Sequence, residues 1–253
     1  MNNAGKYPIS RRVSDILRRV SSPDARAAPS PPPAVLCERV SKVYPAAQPV
    51  IALDSVDLAI SAGEFLAVVG PSGGGKSTLL HLVAGIDRAT SGSIRVGGRN
   101  LATLSERELT LYRRREVGVV FQFFNLLPHL TVRENVELPR LLDGKRDAAK
   151  RASELLDRVD LARRSEAYPG ELSGGEMQRA AIARGLVTGA RLLLADEPTG
   201  NLDSRHGGEV LSLLDEVRRE RGVTLILATH SETAAKRADR IVELADGRLS
   251  PKR

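Results

Sequence analysis

Three short runs of the chain are apolar almost without interruption: Phe65 to Val69, Leu192 to Ala195 and Thr224 to Ala228. A run of this length without polar alternation predicts a strand buried on both faces, as in a parallel sheet covered by helices. Leu36 to Val43 and Val56 to Ile60 are also β-rich, and Ser61-Ala62-Gly63 reads as a turn leading into Phe65. Val117 to Phe121 adds another short strand. Residues 131–188 read as mostly helical. Ser105 with Glu108, Thr131 with Glu134, and Ser173 with Glu176 each fit the capping box that starts a helix. The pattern predicts an α/β fold whose core is interrupted by an inserted helical lobe. No internal repeat is evident.

The first 34 residues break this pattern. They hold six basic side chains against two acidic ones, more than half of the net charge of +7, and end in Pro29, Pro31, Pro32 and Pro33. A basic, proline-rich extension ahead of a domain over residues 35–253 is expected. A tail without fixed structure is the simpler reading. The alternative is a basic amphipathic helix on anionic lipid, since Ile9, Val13, Ile16, Leu17 and Val20 fall at helical spacing. The body keeps little net charge, so no nucleic-acid partner is expected. No apolar run approaches the ~20 residues of a membrane helix, and arginines break up the first apolar residues where a secretory signal would lie. The single cysteine, Cys37, fits a reducing compartment and reads as a strand residue without chemistry.

Chemistry enters at Gly70-Pro71-Ser72-Gly73-Gly74-Gly75-Lys76-Ser77, which fits G-x-x-x-x-G-K-[ST] between an apolar strand and the helical run Thr78 to Ala84. Glycines let backbone N–H groups converge on phosphate oxygens at a helix N-terminus. Lys76 is expected to reach the β- and γ-phosphates of a nucleoside triphosphate and Ser77 to ligate Mg²⁺. Asp196 and Glu197 follow the second apolar run and fall at the same sheet edge. Asp196 is expected to hold Mg²⁺ and Glu197 to act as general base on the attacking water. His230 follows the third run and is placed to contact the γ-phosphate. Gln122, after the Val117 strand, is placed to ligate Mg²⁺ or touch the water.

A second glycine pair, in Leu172-Ser173-Gly174-Gly175-Glu176, opens a helix through Met177 to Leu186. Glycine at a first helical position costs about 1 kcal/mol of helix propensity, a cost that makes sense where the backbone must approach an anion closely. The phosphate loop already serves its own nucleotide, so this anion is expected on a partner subunit.

Together, Gly70–Thr78, Gln122, Leu172–Glu176, Leu192–Glu197, Gly200-Asn201-Leu202-Asp203 and His230 resemble, in order and spacing, the Walker A, Q-loop, signature, Walker B, D-loop and H-loop of an ABC transporter ATPase. The resemblance spans about residues 35–250. It implies a P-loop NTPase with a RecA-like, mostly parallel sheet, an N-terminal antiparallel β-subdomain and a helical subdomain over about 122–188. It further implies that two copies sandwich two MgATP head to tail. Ser173, Gly174 and Gly175 would then contact the γ-phosphate held by the opposite Lys76, and Asp203 would lie across the interface. Tyr44 stands where the family places an aromatic that stacks on adenine. Phe121–Pro128, Glu134–Pro139 and Pro198–Asp203 are similar to the lipoprotein-release and macrolide-export branch. Ser231 stands where Asp is common in the family, and Ala190 where Pro is frequent; Ser231 still fits a helix cap.

The resemblance implies a cytoplasmic ATPase, peripheral on the inner or plasma membrane, that drives integral-membrane permease subunits on separate polypeptides. One or two of Phe123, Phe124, Leu126, Leu127 and Leu130 are expected to be exposed for contact with a cytoplasmic helix of that partner. The rival readings are an ABC ATPase serving a membrane partner in cell division or another non-transport process, and a plain P-loop kinase or GTPase. A kinase or GTPase has no need of residues 172–176, and the chain lacks the guanine-reading N-K-x-D pattern.

Overall fold

The computed structural model describes residues 32–251. The expectations for the basic extension therefore fall almost entirely outside the described residues. Two sheets organise the rest. The first is antiparallel, in the order β2-β1-β4-β5, built from β1 (Val35–Tyr44), β2 (Val50–Ile60), β4 (Ser91–Val96) and β5 (Arg99–Asn100). The second has the order β10-β9-β3-β8-β7-β6. Its members are β3 (Phe65–Val69), β6 (Val117–Val120), β7 (Leu192–Asp196), β8 (Thr224–Thr229), β9 (Arg240–Ala245) and β10 (Arg248–Pro251). All neighbours in it run parallel except β10, which pairs antiparallel with β9.

The uninterrupted apolar runs are explained by what covers each face of this second sheet. Leu66, Val68, Leu192, Leu194 and Ile226 share one core with the antiparallel sheet and with helix α1 (Lys76–Val83). Phe65, Leu193, Ala195, Leu225 and Leu227 share the other with helices α3 (Val132–Leu142), α4 (Ala148–Arg158), α5 (Gly174–Leu186) and α6 (Ser204–Arg221). Alternate residues of each strand thus enter different cores, so both faces of the strand interiors are apolar, with Thr224 and Thr229 buried only at the two ends of β8. Helices α3 to α5 lie in sequence between β6 and β7, which is the expected inserted lobe.

All three expected capping boxes form: Ser105 with Glu108 at α2 (Glu106–Arg115), Thr131 with Glu134 at α3, and Ser173 with Glu176 at α5. Ser231 caps the short helix α7 (Glu232–Ala235) by accepting from the Ala234 N–H. The antiparallel strands are longer than their sequence pattern predicted: β1 by one residue at each end, and β2 by six at its start and none at its end. The cause is irregularity within the ladder. Arg39 and Ser55 take left-handed φ values of 47° and 52°, and the β1–β2 register shifts three times. Each shift moves the alternation to the other face, so no single period runs the length of the strand.

Candidate active site

Parallel register brings the ends of four neighbouring strands to one edge. Val69 pairs with Thr229, Asp196 with Ala228 and Val120 with Ala195. The residues that follow these strands, Gly70, His230, Glu197 and Phe121, therefore open onto the same side of the sheet, the carboxyl edge where α/β proteins bind ligands.

The Gly70–Gly75 loop leads from β3 directly into α1. Gly75 caps that helix at φ 100°, and a Cβ there would lie 2.3 Å from the Ala52 carbonyl oxygen, so only glycine fits. Lys76 is 7% exposed, and its ammonium donates to the carbonyls of Gly70 and Pro71, each at 2.9 Å. Helices α2, α3 and α5 all carry a side-chain cap and an acidic residue in the first turn; α1 and α4 have neither, and of these two only α1 opens from a glycine-rich loop at the carboxyl edge of the sheet. Its N-terminal N–H groups and positive dipole end are left for an external anion.

Asp196 ends β7 and Glu197 follows it at φ 47°, a left-handed value that costs a non-glycine residue strain. The Glu197 N–H still donates to Ala228 O at 2.9 Å, so the peptide stays in the ladder while the side chain turns out. One oxygen of each acid, Oδ1 of Asp196 and Oε2 of Glu197, is buried without a hydrogen-bond partner. The other Glu197 oxygen lies 2.9 Å from His230 Nδ1. Buried acceptors left unmet are costly unless a ligand meets them. A cation at Asp196 and a water at Glu197 would do so. Among the described residues no group of three or more His, Cys, Asp or Glu side chains could hold a metal by itself. A Mg²⁺ here would rest on Ser77, Asp196 and the phosphates it accompanies.

The stretch after Glu197 ties the remaining parts together. Asn201 Nδ2 donates to Gln122 O at 2.9 Å, and a Cβ on Gly200 would lie 3.0 Å from Gln122 Nε2. Gln122 is thus seated on the loop that follows the acids. Asp203 caps α6, accepting from the N–H groups of Arg205 and His206, and its carboxylate lies 2.5 Å from His206 Nδ1. The hydrogen bond from His206 holds the Asp203 carboxyl below its ordinary range. Glu197, His230 and Asp203 line a common cleft of about 400 Å³.

At α5, Glu176 engages the Ser173 N–H and hydroxyl, and Ser173 Oγ accepts from the Glu176 N–H. That leaves the first helical N–H groups, on Gly174 and Gly175, outside both the box and the helix ladder. The glycines also have a second reason that sequence reading missed. A Cβ on Gly174 would lie 3.3 Å from Leu202, and one on Gly175 would lie 3.2 Å from the His206 ring. Close packing of α5 on the Asp203 loop thus favours small residues whatever anion they meet.

Tyr44 ends β1 opposite Val50, with its hydroxyl 3.0 Å from Asp87 Oδ2 and Lys42 Nζ 4.8 Å from its ring centroid. Of the apolar run near Gln122, Phe123 is 71% and Leu127 46% exposed, as expected for one or two of the five. Leu126 packs on the lobe core. Arg184 of α5 donates to the carbonyls of Phe124 and Asn125, clamping the loop after Gln122 onto the lobe. Arg184, Lys42 and Asp87 carry no motif of their own, and their partners lie far away in sequence, so no spacing signal marks them. His206 stands three residues after Asp203, a helical i,i+3 spacing that could have paired the two. Asn201 lies inside the Gly200–Asp203 motif, but nothing in that motif marks its bond to Gln122.

A model of the ABC transporter family matches residues 53–200. The lipoprotein-releasing system ATP-binding protein LolD of Geobacter metallireducens is 51% identical over 199 residues, 78% of this chain and 88% of that protein. The macrolide export ATP-binding/permease protein MacB of Shigella flexneri is 46% identical over 213 residues, 83% of this chain but 33% of that longer protein. Among solved structures, a dimeric post-hydrolysis state of the ATP-binding cassette MJ0796 bound to ADP and Pi superposes with a TM-score of 0.80 at 39% identity. The match covers 87% of this chain and 99% of that one.

Proposed function

The chain belongs to the ABC transporter family, and from that premise we propose that it is the ATP-binding, ATP-hydrolysing subunit of a transporter of the lipoprotein-release and macrolide-export type. The ATPase cassette is assigned to residues 35–253, with a helical subdomain over about 122–188. Two copies close on two MgATP and drive separate integral-membrane permease subunits, with the ATPase peripheral on the cytoplasmic face of the membrane. No helix among the described residues is long and apolar enough to cross a membrane.

The observation that carries this reading is the pair of buried, unpartnered oxygens of Asp196 and Glu197 on the edge that also bears the uncapped phosphate-loop helix. In the proposed site the Gly70–Thr78 backbone and Lys76 cradle the triphosphate. Ser77, Asp196 and Gln122 would hold a Mg²⁺, which would supply positive charge at the triphosphate oxygens. Glu197 takes the proton of the attacking water and His230 steadies Glu197. Ser173, Gly174, Gly175 and Asp203 face the nucleotide of the partner copy.

The test is nucleotide binding and ATP-dependent dimerisation by the purified chain. Wild type should bind MgATP and shift from monomer to dimer; Lys76→Ala should lose nucleotide affinity and stay monomeric. Undiminished binding by Lys76→Ala would remove the phosphate-loop assignment.

A further inference from the structure

Tyr44 is not a free aromatic at the end of a strand. Its hydroxyl donates to Asp87 Oδ2 at 3.0 Å, while Asp87 Oδ1 accepts from Lys42 Nζ at 2.7 Å and from the Arg88 N–H at 2.7 Å. Lys42 Nζ also donates to the Arg88 carbonyl at 2.8 Å and stands 4.8 Å from the Tyr44 ring centroid. Asp87 therefore holds both the edge of the ring, through its hydroxyl, and one face of it, through the lysine. Burial pushes the Asp87 carboxyl up, but the hydrogen bonds from Lys42, Arg88 and Tyr44, with the lysine charge, outweigh it and leave it below the usual carboxylate range. Lys42 is largely covered, with its side chain 13% exposed. An ammonium ion against a ring face is attracted to the π cloud, and here it also occupies that face.

We infer that Asp87 and Lys42 are positioning residues for the nucleotide base: they fix the Tyr44 ring and leave a purine only its opposite face to stack on. The inference rests on the reading of Tyr44 as the adenine platform. Two further observations support it. Val50, cross-strand partner of Tyr44 and so on the same side of the ribbon, is 56% exposed, which adds apolar surface beside the ring. Asp87 also lies in the turn just after α1, the helix that begins at the phosphate loop and ends at Val83. One rigid helix, about 12 Å long for its eight residues, thus fixes the phosphate end of the site at its start and the base end just beyond its finish. The ring pays its ordering entropy on folding rather than on binding, which favours affinity.

The experiment compares MgATP with magnesium tripolyphosphate, which has the phosphates and no base, on wild type, Asp87→Asn, Tyr44→Phe and Tyr44→Ala. Tyr44→Phe keeps the ring and cuts the tether. Both Asp87→Asn and Tyr44→Phe should weaken MgATP binding by about three- to tenfold, the scale of one net hydrogen bond. Their double variant should be no weaker than either alone, and tripolyphosphate affinity should stay at the wild-type value in all of them. Tyr44→Ala should lose more than the tether variants. Equal loss of ATP and tripolyphosphate affinity in Asp87→Asn would overturn the inference, because the effect would then be on the fold of the phosphate loop. Loss in Tyr44→Ala with none in Asp87→Asn and Tyr44→Phe would also overturn it, with the platform reading intact. Wild-type ATP affinity in Tyr44→Ala would instead remove the platform on which it rests.

Discussion

His230 Nδ1 lies 2.9 Å from Glu197 Oε1, across the ends of two adjacent parallel strands. The contact leaves the other glutamate oxygen, Oε2, buried and free to accept from a water. Glu197→Gln keeps the shape and removes the base. It should leave MgATP affinity near wild type, slow hydrolysis by about 10²- to 10⁴-fold, and trap an ATP-bound dimer. Single-turnover hydrolysis and size-exclusion chromatography with ATP measure both. Turnover at the wild-type rate would mean that another group activates the water. His230→Ala should lower kcat while sparing nucleotide affinity, since the proposed role of the histidine is exerted through Glu197 and at the transferred phosphate.

Gly118 of β6 faces the backbone of α5: a Cβ on it would lie 2.3 Å from Gly185 O. That atom cannot swing away as a side chain would. Gly118→Ala should cost about 1–3 kcal/mol or more, each kcal/mol lowering Tm by about 2–4 °C for a domain of this size. The reciprocal change is a control. A Cβ on Gly185 meets Leu193 Cδ1 at an ordinary 3.5 Å, and alanine gains about 1 kcal/mol of helix propensity over glycine. Gly185→Ala should be neutral or stabilising. Equal melting temperatures for the two variants would refute the close approach of β6 and α5.

Cys37 is buried in the antiparallel sheet, and that burial, with the nearby Asp57 charge second, pushes its thiol up to about 12. An unfolded chain releases this proton near pH 8.5. The stability the thiol contributes is therefore complete below that pH and declines as pH rises towards 12, by up to about 1.4 kcal/mol per pH unit. Because the chain has one cysteine, thiol labelling reports Cys37 alone. At pH 9 the folded protein should react far more slowly than the urea-unfolded one. Cys37→Ala should flatten the alkaline loss of stability relative to wild type. Rapid labelling of the folded protein would contradict the burial.

The two-sided core was legible in the sequence because Phe65–Val69 and, within the Thr224–Ala228 run, Leu225 to Ala228 are apolar on both alternations, as a parallel strand between two cores requires. The phosphate loop was legible because strand, loop and helix follow without a break. The ends of β1 and β2 were not, since the bulges at Arg39 and Ser55 destroy the period that marks a strand. Lateral ties were also hidden. Nothing near Tyr44 announces that Asp87 will hold its hydroxyl, and nothing in the Gly174-Gly175 pair announces the side chains of Leu202 and His206. Such contacts depend on how elements stack, and a single sequence records only the elements.

Ser173 has two proposed tasks that one substitution would confuse and two variants separate. As N-cap of α5 it accepts from the Glu176 N–H; its second, proposed task is to meet the γ-phosphate of a partner copy. Thr131 makes the same capping box at α3, with Glu134 in the third position, but has no glycine pair after it and no assigned ligand. Loss of either cap should cost about 1 kcal/mol, a fall of about 2–4 °C in Tm. Ser173→Ala should in addition weaken ATP-dependent dimerisation while leaving the nucleotide affinity of the monomer unchanged, because the proposed site of its own nucleotide is at Lys76 rather than at α5. Thr131→Ala should dimerise like wild type. Sedimentation of both variants in the Glu197→Gln background, with and without MgATP, gives the comparison. Should Ser173→Ala lose stability and nothing else, the residue is a cap alone, and the contact across the dimer must be made by the N–H groups of Gly174 and Gly175.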